Sequence, residues 1–203
     1  MAIYLSYEDK PKYEPLEAGA YPARCYGLVV TGTEYSQTFD KTQLKGVILW
    51  ELPTEVITGE DANGQPYRHP RTMSGTYAMS LAPKANLRKT LDGWRGRPFT
   101  PEELARFDIS AIIGAPCLLN IIVETKDNGD KYNRITGVSR VPKGLDVPPM
   151  INEPIEFDIR DTEQPLDIIK NLPEWLQKRI EASDEYVMRT QPTANDETED
   201  LPW

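Results

Sequence analysis

The sequence has little histidine and little cysteine, and this scarcity argues against several kinds of site. Among its 203 residues there is one histidine, His69, and there are two cysteines, Cys25 and Cys117. A structural zinc site needs four ligands, and a Cys–His or Ser–His pair needs a histidine beside its nucleophile. We therefore expect no metal site and no cofactor, and we interpret both cysteines as small buried hydrophobes in a reducing compartment.

The chain also lacks a long apolar run, and it does not begin with a basic segment followed by an apolar one. Its longest apolar stretch, AIIGAPCLLNIIV from Ala111 to Val123, has 13 residues, whereas a membrane-spanning helix needs about 20. The opening MAIYLSYEDKPKYE shows no secretory signal pattern. We expect a cytoplasmic protein without a membrane partner.

Motifs that carry catalysis are missing as well. The sequence shows no phosphate-binding glycine loop, no metal-ligand cluster and no nucleophile–base pair. Asp127 and Asp130 do not have the spacing of an EF-hand, and a turn at Asn128 and Gly129 explains them. We expect no enzymatic activity, although a fold could still bring together carboxylates for a nuclease.

Charge is unevenly distributed along the chain, although the net formal charge is -9. From Ser183 to Trp203 six acids stand against one base, whereas Gly64 to Arg97 holds seven bases against one acid. Aromatic side chains, among them Tyr67, Tyr77 and Trp94, are interleaved with those bases. Bases that follow a phosphate backbone and rings that stack on nucleobases suit a single strand. The window therefore favours a nucleic-acid partner, although a solvated charged face would have the same composition.

Three strands are predicted in the first half of the chain. Residues 19–33, 44–56 and 71–81 are rich in β-branched and aromatic residues or alternate in polarity. We expect the second strand to stop or bulge at Pro53, because proline cannot donate to a sheet ladder.

Helices and a hairpin follow. Leu87 and Leu91 lie one turn apart and predict a short helix, and TPEELARF begins with a capping box at Thr100. Two further strands flank Asn128 and Gly129, a pair that suits a two-residue hairpin turn. Five strands with a helical insertion between the third and the fourth predict a mainly β, OB-fold-like Greek-key barrel.

We divide the chain into three parts. Residues 1–18 are polar and contain two prolines, so they are interpreted as an N-terminal arm. Residues 19–182 are expected to form the OB-fold-like domain, which ends in an amphipathic helix. Residues 183–203 are expected to be a disordered acidic tail, because closely spaced like charges cannot enter an apolar core.

The end of the chain, ETEDLPW, resembles the C-terminal tip of bacterial single-stranded DNA-binding proteins, in which an acidic run precedes an apolar residue, a proline and an aromatic residue. The resemblance implies a segment that replication and repair proteins recognise. It also implies the partner-binding residues, which are Glu199, Asp200, Leu201, Pro202 and Trp203. The tail could in addition lie in the protein's own DNA groove as an electrostatic competitor.

A longer block, Ala82 to Ile121, resembles a segment of phage-encoded single-stranded DNA-binding proteins. In that family an LRK-L--WRGR-FT-EE run precedes GAPC and a strand, and both motifs occur here. The resemblance implies an OB-fold protein that coats phage replication intermediates in the host cytoplasm. It assigns no individual DNA contact.

Candidate DNA-binding residues fall into two groups. The first lies on the predicted strand-two and strand-three face or its loops and comprises Tyr35, Phe39, Lys41, Trp50, Arg68, Arg71 and Tyr77. The second lies on or near the helix that plugs an OB barrel, so it is either an outer track for DNA or a fold-stabilising network. It comprises Arg88, Lys89, Trp94, Arg95 and Arg97, of which Trp94 is favoured as a core residue.

The sequence therefore predicts sequence-tolerant binding of single-stranded DNA, with protection of replication or recombination intermediates and a tail that recruits partner proteins. The alternative is an adaptor that recruits such enzymes without binding DNA itself. Whether the protein forms a homo-oligomer stays open, as does the preference between DNA and RNA.

Overall fold

The structure, a computed structural model, describes residues 14–37, 40–60 and 64–191. It is mainly β. The strands are β1 (Gly19–Ser36), β2 (Lys41–Glu60), β3 (Pro66–Ala78), β4 (Pro116–Thr125), β5 (Lys131–Ser139) and β6 (Ile155–Asp158). The helices are α1 (Asn86–Arg95), α2 (Pro101–Ala105), α3 (Glu174–Glu181) and α4 (Asp184–Thr190), with 3-10 turns at Ile109–Ile112 and Leu166–Asn171.

Five antiparallel strands form a curled half-barrel in the order β3-β2-β1-β4-β5. The short strand β6 adds to β1 in parallel, with Gly27 opposite Ile155. Helix α1 packs against both edge strands, β3 and β5. Its Gly93 lies so close to β5 that an added Cβ would sit 2.6 Å from the carbonyl oxygen of Val138. The predicted order of three strands, helices and a hairpin is confirmed at this level.

Local sequence patterns place several features correctly. The β2–β3 register breaks between Leu52 and Val56, around Pro53, as predicted. Thr100 accepts from the N–H of Glu103, and the Glu103 side chain accepts from the N–H of Thr100, which completes the predicted capping box.

The turn between β4 and β5 differs from the prediction. The N–H of Lys126 donates to Asp130, the N–H of Gly129 donates to Lys126, and Gly129 has a φ of 85°. These bonds form a three-residue loop with a left-handed third residue rather than the predicted two-residue turn. A type I′ turn at Asn128 and Gly129 would need a positive φ at both residues, and of these two only Gly129 has one.

Both faces of β1 and β2 are buried, but in separate apolar clusters. Leu28 and Ile48, which are paired in the sheet, belong to the inner cluster, together with Leu91 of α1. Val29 and Val47, the next pair, belong to the outer cluster. Successive side chains of a strand point to opposite faces, so these two central strands need a cover on each side.

The outer cover is residues 147–190, which we call the C-terminal cover. Leu176 and Ile180 of α3 are fully buried in the outer cluster, as are Phe157 and Ile159. Complete burial of each such side chain contributes roughly 1.5–3 kcal/mol. Trp175, which precedes Leu176 in the same amphipathic helix, is 45% exposed.

Both predicted domain boundaries need correction. Leu16 is buried in the inner cluster, so the end of the predicted arm is part of the fold. The tail was predicted to start at Ser183, but α4 is helical and its Glu185 accepts from the N–H (2.9 Å) and Oγ1 (2.6 Å) of Thr33. Ser183 caps α4, and two acids in its first turn suit the positive end of the helix dipole.

Candidate nucleic-acid interface

Two hairpin turns lie at one end of the sheet. Strands β2 and β4 both pair with β1 in antiparallel fashion. Each continues beyond its last residue paired with β1, toward the end of the sheet where β1 begins. The β1–β2 pairing ends at Arg24 and Glu51, whereas β2 and β3 stay paired out to Glu60 and Pro66. We call residues 56–60, 66–71 and 124–134 the hairpin end.

The β2–β3 hairpin brings two aromatic rings and two arginine side chains to this end. Tyr67 and His69 stack with ring centroids 5.4 Å apart and an interplanar angle of 24°. Arg68 is exposed and forms no salt bridge to another described residue. Arg71 donates to the carbonyl of Glu14 at 2.6 Å. Of the predicted candidates, Arg68 and Arg71 both belong to this hairpin.

The β4–β5 hairpin carries a second basic and aromatic group. Tyr132 is 37% exposed, and the ammonium of Lys126 lies 5.7 Å from its ring centroid. The Tyr132 hydroxyl donates to Glu124, and so does Arg134. Arg134 lowers the pKa of Glu124, and the bond to Glu124 raises the pKa of Tyr132. Sequence reasoning missed this group, although the run KYNR beside the turn combines bases with an aromatic residue.

The end of the N-terminal arm connects the two hairpins. The N–H of Leu16 donates to Oδ1 of Asn133 (2.8 Å), and Nδ2 of Asn133 donates back to the Leu16 carbonyl (2.9 Å). Two residues earlier, Glu14 binds Arg71 of β3. Residues 14–16 therefore bridge the two edge strands and fix the hairpins relative to each other.

The β1–β2 loop lies at the opposite end of the sheet. Tyr35 is 61% exposed, and its hydroxyl donates to Asp40, which raises the Tyr35 pKa. Lys41 is exposed at the start of β2. Phe39, the third candidate of this loop, lies outside the described residues.

The bases near α1 form an arginine cluster around Phe99, composed of Arg88, Asp92, Arg95, Arg97, Phe99 and Glu103. The guanidinium carbons of Arg95 and Arg88 lie 4.0 and 5.1 Å from the Phe99 ring centroid. Asp92 accepts from Arg88 at 3.0 Å and from the N–H of Phe99 at 3.1 Å. These bonds hold α1 to the segment that follows it.

Glu103 supplies the second carboxylate of the cluster. It accepts from Arg97 at 2.5 Å and also from Arg95. The bond from Arg97 and the capping N–H of Thr100 lower the Glu103 pKa to about 2. Arg88 and Arg95 therefore serve the fold, while Lys89 is exposed and forms no salt bridge within the described residues.

Three aromatic residues among the DNA-binding candidates point toward the interior. Trp50 is 0% exposed and packs on Trp94, with ring centroids 5.9 Å apart. Trp94 is buried and donates from Nε1 to the carbonyl of Pro116 at 2.8 Å. Tyr77 packs against the same inner cluster, where desolvation raises its pKa. Trp50 cannot stack on a base in this structure, because β2 turns it into the half-barrel.

The outer face of β2 is closed by the C-terminal cover. The carboxylate of Glu51 is buried and accepts from the N–H groups of Ile151 (2.6 Å) and Asn152 (2.8 Å). Opposite it in the sheet, Arg24 donates to the carbonyls of Val147 (2.8 Å) and Pro148 (2.6 Å). Arg24 and Glu51 thus hold the cover through its backbone, whereas Thr72 and Ser74 on the outer face of β3 are exposed.

Among the described residues, no cluster of three or more His, Cys, Asp or Glu side chains could hold a metal ion. Both thiols are fully buried, and burial raises the Cys25 pKa to about 12. No helix within the described ranges is long and apolar enough to cross a membrane.

Comparisons of the chain with protein-family models, with curated proteins and with solved structures find no match. The functional proposal therefore rests on the residues and their geometry.

Proposed function

We propose that this chain binds single-stranded DNA without sequence preference and protects phage replication or recombination intermediates. The observation that carries the proposal is the hairpin end, where two hairpins, both hydrogen-bonded to residues 14–16, each carry exposed basic residues and aromatic rings. Arg68 and Lys131 supply cations for phosphate, and Tyr67 and Tyr132 supply rings for stacking. Each stacked base contributes about 1–3 kcal/mol, whatever its identity.

The strand order supports an OB-like fold for this role. An OB-fold is a five-stranded, partly open Greek-key barrel whose second and third strands and adjacent loops bind oligonucleotides. The order β3-β2-β1-β4-β5, with α1 between the third and fourth strands and packed in the opening of the half-barrel, fits that description.

The path of the nucleic acid follows from what is covered. Because the C-terminal cover occupies the outer face of β1 and β2, we place the strand along β3. Its outward side chains, Thr72, Ser74 and Thr76, are exposed, small and uncharged, and Thr76 accepts a hydrogen bond from Arg179 of α3 at 3.0 Å. This face runs about 40 Å from the hairpin end toward the β1–β2 loop, so Tyr35 and Lys41 would contact the far end of the bound strand.

The acidic tail is proposed to recruit partner proteins through Glu199, Asp200, Leu201, Pro202 and Trp203. Acidic charge keeps such a segment solvated, and one large ring can supply most of the contact area. These residues lie outside the described ranges, so this part of the proposal depends on their sequence.

Fluorescence anisotropy of a labelled oligothymidine tests the proposal. We would compare the full chain with a version ending at Gln191, which keeps α4 and its bonds to Thr33. We expect Kd to rise steeply with salt, because each neutralised phosphate releases a cation. Salt-independent binding, or a preference for duplex DNA, would contradict the proposal. If neither version binds, the adaptor becomes the better function.

A further inference from the structure

A large cleft lies beside the short strand β6, in the C-terminal cover. Its volume is about 560 Å³, within the range of roughly 300–1,000 Å³ that is typical of ligand-binding pockets. It is lined by residues 152–156, which lead into β6, by Ile168 and residues 171–173, and by Tyr26. Tyr26 and Leu172 are buried in the outer apolar cluster, so the cleft has an apolar floor.

The lining of this cleft is acidic. Glu153 and Glu156 are exposed, and neither forms a salt bridge with another described residue. Glu156 accepts from the hydroxyl of Ser110, a neutral donor that leaves the charge of the carboxylate in place. Across residues 153–167, six acids stand against one base, Arg160. Charge complementarity therefore favours a positively charged ligand.

Strand β6 also leaves one backbone edge open. It pairs in parallel with β1 and with no other described strand. The N–H of Ile159, just after β6, donates to the carbonyl of Val30 in β1 at 3.2 Å. Because N–H groups alternate in direction along a strand, the N–H of Glu156 points away from β1. No bond from this N–H to a described residue is found, so the open donor belongs to a residue that lines the cleft.

Two smaller clefts, of about 200 and 220 Å³, have no carboxylate in their lining. Each contains one arginine, but Arg95 is bound by Glu103 and Arg160 is bound by Asp158. Neither cleft therefore offers an unpaired charge to a ligand, whereas the cleft beside β6 offers two.

We propose that the cleft beside β6 binds an extended basic segment of a partner protein. The segment adds to the open edge of β6, where the N–H of Glu156 donates to its backbone. Its lysine or arginine side chains face Glu153 and Glu156, and its apolar side chains lie against Tyr26 and Leu172. The two carboxylates repel phosphate and acidic peptides, so this site is distinct from the proposed DNA-binding face and does not take the acidic tail.

Fluorescence anisotropy of a labelled peptide, with the full chain and without DNA, tests the proposal. The peptide alternates lysine with isoleucine, which gives a strand one basic face and one apolar face. A matched peptide with glutamate in place of lysine is the control. We expect saturable binding of the lysine peptide and no binding of the glutamate peptide. Equal binding of the two peptides, or no binding of the lysine peptide, would overturn the proposal.

Two double variants with equal loss of charge locate the site. Glu153→Gln with Glu156→Gln removes both carboxylates of the cleft. Glu163→Gln with Glu181→Gln removes two exposed acids of the cover that do not line the cleft. The first pair should raise the Kd of the lysine peptide about 10-fold, and the second should leave it within about two-fold. Similar effects of the two pairs would overturn the proposal, because the peptide would then respond only to net charge.

Amide hydrogen exchange tests the pairing with β6. In ¹⁵N-labelled protein saturated with the lysine peptide, the N–H of Glu156 should exchange at least about 10-fold more slowly than in the free protein. The N–H of Asp127, in the β4–β5 turn, is the control and should be unaffected. An unprotected Glu156 N–H at saturation would contradict strand addition. A dimer that the lysine peptide dissociates in sedimentation velocity would also overturn the proposal, because the cleft would then hold a second copy.

Discussion

The arginine cluster and the hairpin end both combine bases with aromatic rings, yet their chemistry differs. In the cluster, Arg88 and Arg95 lie against Phe99 and are bound by Asp92 and Glu103. At the hairpin end, Arg68 and Lys131 are exposed and form no salt bridge within the described part of the chain. A cation that already has a carboxylate gains little from a phosphate, whereas a solvated one can replace the strand's counterions. The carboxylate partners of a basic residue therefore indicate its role better than its sequence neighbours do.

Removal of the ring at the centre of the cluster should have the largest effect on the fold. Phe99 is buried, so Phe99→Ala should lower the free energy of unfolding by about 3–5 kcal/mol. Urea denaturation measures this, and Leu104→Ala, at a partly exposed position of α2, is the control. At a temperature where the variant is folded, DNA affinity should be unchanged; a large loss of affinity would show that the cluster also binds DNA.

Loss of one ring at the hairpin end should affect binding and spare the fold. Tyr132→Ala should weaken binding to oligothymidine by about 1–3 kcal/mol, roughly 5- to 150-fold in Kd. Tyr132→Phe is the matched control, because it keeps the ring and loses only the hydroxyl bond to Glu124. Equal affinities of the alanine and phenylalanine variants would argue against stacking.

Loss of solvated basic side chains should change the salt dependence of DNA binding. For single strands, the slope of log K against log salt is about -0.7 for each phosphate contact. Arg68→Gln and Lys131→Gln together should therefore make the slope shallower by about 1.4. Lys178→Gln, which removes a base that α3 pairs with Glu174, should leave the slope unchanged. An unaltered slope in the double variant would remove both residues from the interface.

A smaller effect concerns pH and the arginine cluster. The bond from Arg97 and the capping N–H lower the Glu103 pKa to about 2, below the value of about 4.3 expected for an unfolded chain. The resulting stability is fully present above the unfolded pKa and is lost as pH falls toward 2. Glu103→Gln should thus lower Tm at pH 7, and the difference from wild type should narrow near pH 2. A constant difference across this range would contradict the assignment.

Local patterns predicted the elements whose determinants are local. Pro53, the capping box at Thr100 and the Leu87–Leu91 spacing each act within one turn or one strand, and the structure contains all three features. Of the C-terminal cover, the sequence predicted the amphipathic helix but not β6, because β6 has four residues and pairs with β1, more than 120 residues earlier in the chain.

The candidate site was harder to predict because burial depends on tertiary register. Trp50 and Tyr132 both lie in strands beside polar residues, but Trp50 is 0% exposed and Tyr132 is 37% exposed. Which side of β2 faces the interior depends on how α1 and the cover pack on the sheet, and the local pattern of β2 does not contain that packing. Likewise, Asp184 and Glu185 have the composition of a tail, yet Thr33 binds one of them.

The most direct test compares two triple variants with equal loss of charge. One removes bases of the hairpin end (Arg68→Gln, Lys126→Gln, Lys131→Gln), and the other removes exposed bases on and around α1 (Lys84→Gln, Lys89→Gln, Arg140→Gln). Anisotropy of oligothymidine at low salt should show a marked loss of affinity for the first variant and nearly wild-type affinity for the second. Equal losses, or a larger loss for the second variant, would contradict the assignment of DNA binding to the hairpin end.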